Sequence, residues 1–180
     1  MRKNLFVFLM VGAAIIAKRK TIMGAIISTD AALADKNVLA FLAMIRQYES
    51  RGDYAILYGG GHFADMSDHP NVRVPFLNPK TAKNDYSTAA GAYQINHPTW
   101  LFIRTLAQLP DFSPASQDRA AVLLLKADGA LYDIAQGRFE KGVEIASQRW
   151  ASLPFSVSMQ NKTSLQNAIA TYTRNGGLLA

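Results

Sequence analysis

The clearest structural pattern in the chain is an apolar stripe with helical spacing over residues 35–49. The apolar positions recur every three or four residues and are Val38, Phe41, Leu42, Ile45 and Tyr48. This spacing is typical of an amphipathic α-helix that presents one face to a hydrophobic core. The pattern therefore predicts a helix that packs inside a globular domain, and it decides which side chains of the segment are buried.

Glu49 falls on the buried face of this predicted helix, four residues after Ile45 and seven after Leu42. Burial disfavours the charged form of a carboxyl group and so raises its pKa. A carboxyl group that keeps its proton near neutral pH can serve as a general acid. The alternative is a solvated glutamate at the end of a surface helix, since Ser50-Arg51-Gly52-Asp53 ends the helix directly afterwards.

The remainder of the chain predicts an α+β fold in which one small irregular β region precedes several helices. Residues 51–83 are rich in Gly, Pro, Asp and Asn, and the β-favouring pieces within them are short: residues 54–58, 62–63 and 72–74. Further helices are predicted, from their apolar periodicity and flanking Pro and Gly, at residues 99–109, 115–128, 130–136, 139–153 and 164–174.

Composition excludes several classes of function. The 180 residues contain no cysteine, which excludes a disulfide scaffold, a thiolate nucleophile and a cysteine-based zinc site. The net charge is +6, but residues 1–34 carry five basic side chains and one acidic one. The rest of the chain is therefore only mildly basic, which gives no indication of nucleic acid binding.

Residues 1–34 have the pattern of an export leader, and residues 35–180 form the predicted domain. Arg2 and Lys3 precede an unbroken apolar run over residues 5–17, and Ala32-Leu33-Ala34 resembles a cleavage site. Three outcomes remain open: a cleaved signal peptide, a signal-anchor that is released uncut, and a permanent anchor in the inner membrane.

A second segment contains residues that could bind a ligand, and it reads Ser87-Thr88-Ala89-Ala90-Gly91-Ala92-Tyr93-Gln94-Ile95. Its small residues allow close approach of the backbone to a ligand or to a neighbouring helix. Tyr93 could lie against a sugar ring, and Gln94 could both donate to and accept from an acetamido group. Alternatively the segment is a tight loop with Tyr93 in the core.

Other titratable residues are weaker candidates for a catalytic or metal-binding role. A second catalytic carboxylate would have to come from Asp53, Asp65, Asp68 or Asp85, although Ser67-Asp68-His69-Pro70 is more typical of a structured turn. His62 and His69 lie seven residues apart in a loop, which is poor spacing for zinc. We therefore predict no metal and no cofactor.

Five motifs occur in the order and at the spacings of one protein family. They are Phe41-Leu42-Ala43-Met44-Ile45 running into Glu49, the stretch 60–70, Ala90-Gly91-Ala92-Tyr93-Gln94, Asp111-Phe112-Ser113-Pro114-Ala115-Ser116-Gln117-Asp118, and Trp150-Ala151-Ser152-Leu153-Pro154. By these motifs, residues 39–155 resemble the bacteriophage lambda endolysin family. The leader has no counterpart in that family, and Phe155-Ser156-Val157-Ser158-Met159 replaces the family's aromatic, glycine-rich lip.

The resemblance implies a lysozyme-like fold, mostly helical, with a saccharide cleft between two lobes. It implies a lytic transglycosylase that cleaves peptidoglycan between N-acetylmuramic acid and N-acetylglucosamine for host cell lysis. Glu49 would be the catalytic residue. Gln94 and Tyr93 would bind substrate, and Ser50 or Ser87 would orient the carboxylate or the substrate. A hydrolytic muramidase with an aspartate as second carboxylate and a non-catalytic wall-binding module are the alternatives. We expect a monomer in the periplasm of a Gram-negative host, tethered to the inner membrane by its leader before release or cleavage.

Overall fold

The computed structural model describes residues 27–78 and 81–180. These residues form seven α-helices and one antiparallel hairpin. The helices are α1 (Thr29–Ala34), α2 (Lys36–Ser50), α3 (His97–Ala107), α4 (Pro114–Ala127), α5 (Leu131–Ala135), α6 (Phe139–Ala146) and α7 (Leu165–Arg174). The strands are β1 (Val74–Asn78) and β2 (Lys83–Ser87), paired in the register Val74 to Ser87.

Helix α2 occupies the centre of the domain, as its apolar stripe predicted. Asp35 is its N-cap, because the Asp35 Oδ1 atom accepts hydrogen bonds from the backbone nitrogens of Asn37 and Val38 at 2.9 and 3.0 Å. Four stripe residues have no exposed surface: Val38, Phe41, Leu42 and Ile45. Helices α1, α4, α5 and α7 all contact α2. Full burial of each large apolar side chain stabilises the fold by about 1.5–3 kcal/mol.

The β region is smaller and begins later than predicted. The pieces around residues 54–58 and 62–63 form only isolated bridges, which pair Ile56 with His62 and Leu57 with Ala90. Of the piece at 72–74, only Val74 enters a strand. Strand β2 was not predicted, because Tyr86 is the one β-favouring residue in its sequence Lys-Asn-Asp-Tyr-Ser and its pairing with β1 determines its conformation.

All five helices predicted after residue 97 are present, but α6 is shorter than expected. It ends at Ala146 instead of Leu153. The chain turns there because Trp150 enters the core, where it is 3% exposed, and its Nε1 atom donates to the Tyr93 carbonyl oxygen at 3.1 Å.

Helix α1 packs against α4, although its residues were assigned to the leader. Ala32 is completely buried, Asp30 Oδ1 pairs with Arg119 Nη2 at 2.6 Å, and the Ile27 carbonyl oxygen accepts from Lys126 Nζ at 3.0 Å. Residues 27–34 are therefore part of the packed domain. The leader prediction for residues 1–26 lies outside the described residues. Across 27–78 and 81–180, no helix combines the length and apolar character that crossing a membrane requires.

Candidate active site

A cleft of about 610 Å³ opens beside the C-terminal end of α2. Its walls come from six parts of the chain: the end of α2, the turn at Tyr58 and Gly59, the segment from Ser87 to Thr99, Leu124 on α4, the segment from Gln148 to Ser152, and the pair Gln160 and Asn161. Four of the predicted site residues line it, and they are Glu49, Ser87, Tyr93 and Gln94. The fold thus brings the end of α2, which carries Glu49, next to the segment that begins at Ser87, although about forty residues of β region and loop separate them in sequence.

Glu49 lies in the last turn of α2 and is partly buried. Its Oε1 atom accepts two hydrogen bonds from Ser152, one from the hydroxyl group at 2.5 Å and one from the backbone nitrogen at 3.3 Å. Burial raises the pKa of Glu49, and the two hydrogen bonds from Ser152 lower it by a smaller amount. The carboxyl group therefore keeps its proton to a higher pH than an ordinary glutamate, which suits a general acid.

Ser152 was not predicted as a site residue, and it takes the orienting role that we expected of Ser50 or Ser87. It lies 103 residues after Glu49. The available signal was its position inside Trp150-Ala151-Ser152-Leu153-Pro154, one of the motifs that carry the family resemblance.

Ser50 caps the end of α2 and does not line the cleft. It is 4% exposed, and its hydroxyl group donates to the Arg46 carbonyl oxygen at 3.0 Å and accepts from the Gly52 nitrogen at 3.1 Å. Arg51 follows in the left-handed conformation, with a φ of 57°. In place of the predicted contact with substrate, Ser50 ends the helix one residue after Glu49 and so fixes the position of that turn.

Tyr93 is a structural residue in the wall of the cleft. It is 1% exposed, so its ring has almost no surface to offer a sugar, contrary to our expectation. Its hydroxyl group donates to Asp118 Oδ1 at 2.6 Å and accepts from Arg46 Nη1 at 2.7 Å. Tyr54 donates to the same Asp118 atom at 2.7 Å. Burial, followed by the nearby Asp118 charge, raises the pKa of Tyr93, so the phenol remains a donor.

The loop before Gln94 packs closely against Gln117. Gly91 has a φ of 75°, and a Cβ atom there would lie 2.2 Å from Gln117 Oε1. That oxygen accepts from the Ala92 nitrogen at 2.8 Å, while Gln117 Nε2 donates to the carbonyl oxygens of Tyr54 and Phe112 at 3.0 and 2.8 Å. The small residues of the loop therefore allow close packing against a neighbouring helix, which was one of the two alternatives.

Gln94 and Ser87 are the predicted binding residues that each retain a hydrogen-bonding group for a ligand. Gln94 has a φ of 47°, and its Nε2 atom donates to the Gly91 carbonyl oxygen at 3.1 Å. Its Oε1 atom has no partner in the part of the chain that the structure describes. The Ser87 hydroxyl oxygen accepts from the Ala89 nitrogen at 3.1 Å, which leaves its proton to donate. These two groups provide one acceptor and one donor at the cleft.

The three walls that carry Glu49, Gln94 and Ser152 are joined by hydrogen bonds. Arg46, one turn before Glu49 on α2, binds the Tyr93 hydroxyl group. The Tyr93 carbonyl oxygen binds the Trp150 indole, and Ser152, two residues later, binds Glu49. This closed circuit fixes the positions of the three walls relative to one another before any ligand binds, as preorganised active sites require.

None of the four candidate aspartates lines the cleft. Asp53 pairs with His62 at 2.7 Å, and Asp65 Oδ1 accepts from the Ser67 nitrogen at 2.8 Å. Asp85 is exposed on the hairpin. Asp68 Oδ1 accepts from the neighbouring His69 nitrogen at 2.7 Å and from Trp100 Nε1 at 2.8 Å, so this side chain has structural partners. Among the described residues, Glu49 is the only carboxylate in the lining of the cleft.

The histidines have structural partners. His69 is 5% exposed, its Nε2 atom lies 2.8 Å from the Ile95 carbonyl oxygen, and its Nδ1 atom accepts from the Asn71 nitrogen at 3.0 Å. The ring is therefore neutral with its proton on Nε2, and burial lowers the pKa of His69. The described ranges contain no group of three or more His, Cys, Asp or Glu residues that could hold a metal ion.

The family model for endolysins matches residues 39–179. The chain belongs to the endolysin family. The endolysin of Escherichia phage P2 is 33% identical over 158 residues, which cover 81% of this chain and 96% of the relative. The endolysin of Escherichia phage lambda is 38% identical over 132 residues, covering 73% and 80%. The predicted resemblance to the lambda endolysin family is therefore confirmed.

Solved structures of a relative match the fold of this endolysin. Bacteriophage lambda lysozyme complexed with a chitohexasaccharide aligns with a TM-score of 0.73 and 35% identity, covering 81% of this chain and 97% of the other. A second structure of lysozyme from bacteriophage lambda gives a TM-score of 0.69 and 34% identity over the same shares. The α+β, lysozyme-like fold class predicted from the sequence is confirmed.

Proposed function

We propose that this endolysin is a peptidoglycan lytic transglycosylase with Glu49 as its single catalytic carboxylate. It cleaves the β-1,4 bond between N-acetylmuramic acid and N-acetylglucosamine and leaves a 1,6-anhydromuramoyl end. The supporting observation is that Glu49 alone supplies a carboxyl group to the lining of the cleft among the described residues. Hydrolytic glycosidases generally need two carboxylates, whereas intramolecular transfer to the sugar's own hydroxyl group needs one.

The reaction consists of two proton transfers at Glu49. The protonated carboxyl group donates to the glycosidic oxygen as the bond from that oxygen to C1 of the muramic acid breaks. The N-acetyl group of the muramic acid supports the positive charge at C1. The Glu49 carboxylate then takes the proton of the C6 hydroxyl group of the muramic acid. At the same time the C6 oxygen forms a bond to C1, which gives the 1,6-anhydro ring. Atoms and protons balance without water or metal.

Ser152, Gln94 and Ser87 have distinct roles in this scheme. The hydrogen bonds from Ser152 stabilise the carboxylate that exists between the two proton transfers. The free acceptor of Gln94 and the free donor of Ser87 match the N–H and C=O groups of an acetamido substituent. A relative solved with a chitohexasaccharide supports an oligosaccharide as the ligand of the cleft.

A hydrolytic muramidase is the second candidate, because the solved relatives carry the name lysozyme. It requires another carboxylate to activate water or to act as nucleophile. Asp65 is one of the four candidate aspartates, but its side chain is bound in a local turn outside the lining of the cleft.

Mass spectrometry of muropeptides released from purified peptidoglycan distinguishes the candidates. The full chain should release fragments one water lighter than reducing muropeptides. Glu49→Gln, which keeps the shape but cannot donate an acidic proton, should release none, and Asp65→Asn should act like the unmodified chain. Reducing fragments that disappear with Asp65→Asn would establish the hydrolase. No fragments from the unmodified chain would indicate a wall-binding module.

We also propose that the leader exports the enzyme uncut to the periplasm of a Gram-negative host. The basic start and apolar run of the leader support export. The burial of Ala32 and the contact between Ile27 and Lys126 support retention, since cleavage after Ala34 would remove α1 from the domain. Intact-mass measurement of the periplasmic and membrane fractions should find the full chain. A mass equal to that of a chain that begins at Asp35 would refute the proposal.

A further inference from the structure

An apolar groove lies between α3 and α4, next to the saccharide cleft. Its volume is about 630 Å³, and its lining includes Phe102, Leu106, Leu123 and Leu124. Phe102 and Leu106 are each 69% exposed. With the other apolar residues of the groove they form a contiguous apolar surface, and such surfaces often mark interaction sites.

The cationic side chains at the rim of this α3–α4 groove already have partners. Lys126 Nζ donates to the Ile27 carbonyl oxygen at 3.0 Å. Arg149 forms two hydrogen bonds of 2.6 Å to the carboxylate oxygens of Asp128. The groove therefore offers apolar surface and little free charge, which suits an apolar segment and suits neither a glycan nor an acidic peptide.

The described chain begins at one end of this groove. Helix α1 runs antiparallel to α4, because Asp30 pairs with Arg119 while Ile27 contacts Lys126, seven residues further along α4. Following the chain backwards from Asp30 to Ile27 thus leads toward the C-terminal end of α4. Lys126 and Ala127 at that end line the groove. The described chain therefore begins near the end of α4 that lines the groove.

The preceding residues have the composition and length to fill it. The six residues 21–26 read Thr-Ile-Met-Gly-Ala-Ile, with three large apolar side chains and no charge. Along α3, the distance from Pro98 to Leu106 is about 12 Å at the rise of an α-helix. Six extended residues reach about 20 Å, so the segment can extend along the groove without displacing α1.

We propose that residues 21–26 of the same chain dock in the α3–α4 groove when the enzyme is free of the membrane. The inference depends on the leader being retained and is independent of the chemistry at Glu49. Thr99, Leu124 and Arg149 line both the groove and the saccharide cleft, so the docked segment lies against one end of the cleft.

The absence of native cysteine permits a direct test with the full chain in detergent-free buffer. The thiol introduced by Leu106→Cys should react with N-ethylmaleimide at least about tenfold more slowly than in a chain that also carries Ile22→Ser, Met23→Ser and Ile26→Ser. Val157→Cys is the matched control, since Val157 is 90% exposed and lies outside the groove, and its rate should not change. Equal rates at Leu106→Cys in the two chains would overturn the proposal.

Oxidation of a Met23→Cys, Leu106→Cys double variant provides a second test and separates the possible occupants. An intramolecular disulfide, absent from Met23→Cys combined with Val157→Cys, supports docking of the segment. A disulfide between two chains would assign the groove to a second copy. Protection of Leu106→Cys only in the presence of phosphatidylethanolamine–phosphatidylglycerol vesicles would assign it to a membrane surface. Either of the last two results overturns the proposal, whatever activity the protein shows on peptidoglycan.

Discussion

Replacement of Gly91 by alanine tests how the cleft wall is held, and the structure allows its cost to be worked out. The new Cβ atom would lie 2.2 Å from Gln117 Oε1. Gln117 cannot simply rotate away, because it is fully buried and its amide forms three hydrogen bonds. Displacing this amide sacrifices bonds worth about 0.5–1.5 kcal/mol each, so the steric cost should be about 2–4 kcal/mol.

A conformational cost adds to the steric one. Gly91 has a φ of 75°, and an alanine in the left-handed region costs about 1–2 kcal/mol. Gly129 is the matched control, because it has a φ of 83° and nothing within 4 Å of the added Cβ atom. Gly129→Ala should therefore lower the free energy of unfolding by the conformational cost alone, and Gly91→Ala by about 2–4 kcal/mol more.

Urea denaturation at equilibrium measures both variants, and a double-mutant cycle isolates the contact. In a Gln117→Ala background the steric cost of Gly91→Ala should vanish, leaving a destabilisation similar to that of Gly129→Ala. Equal destabilisation by Gly91→Ala and Gly129→Ala in the native background would refute the reasoning. It would mean that the amide of Gln117 moves aside at no cost and does not hold the loop that carries Gln94.

Three further outcomes follow from the same network. Ser152→Ala removes a hydrogen bond that lowers the pKa of Glu49, so the alkaline limb of the kcat/KM profile should move to higher pH; an unchanged or lower midpoint would contradict this. Asp118→Asn should destabilise the fold by about 1–2 kcal/mol in urea, because the charged acceptor shared by Tyr54, Tyr93 and Arg46 is lost. Burial lowers the pKa of His69, so the unfolded chain binds its proton at a higher pH than the folded one. The free energy of unfolding should therefore fall as the pH drops below about 6.5, and His69→Gln should reduce this slope; a slope equal to that of the native chain would exclude His69 as its source.

The helices could be predicted from the sequence because their signals are local. The stripe of α2 follows the 3.6-residue period, and Pro and Gly mark the ends of α4. Strand β2 and the early end of α6 could not be predicted in the same way. The conformation of β2 depends on pairing with β1, and α6 ends where Trp150 finds its acceptor at Tyr93, 57 residues away in sequence.

The features of the site also differ in whether they follow from local sequence or from tertiary contacts. The position of Glu49 on the buried face of α2 follows from spacing within one helix, so the sequence could single out this carboxyl group. Sequence could not predict the contact with Ser152 or the burial of Tyr93, because each depends on side chains from separate elements meeting in space.

By itself, then, the sequence determined the helical framework, the family and the candidate acid, since these depend on residue types at short or fixed spacings. The tertiary structure decided which serine orients Glu49, that Tyr93 supports the cleft wall, and that no candidate aspartate lines the cleft among the described residues. Hydrogen-bond partners and burial are properties of atoms within a few ångströms of each other, and only folding determines which distant residues come that close.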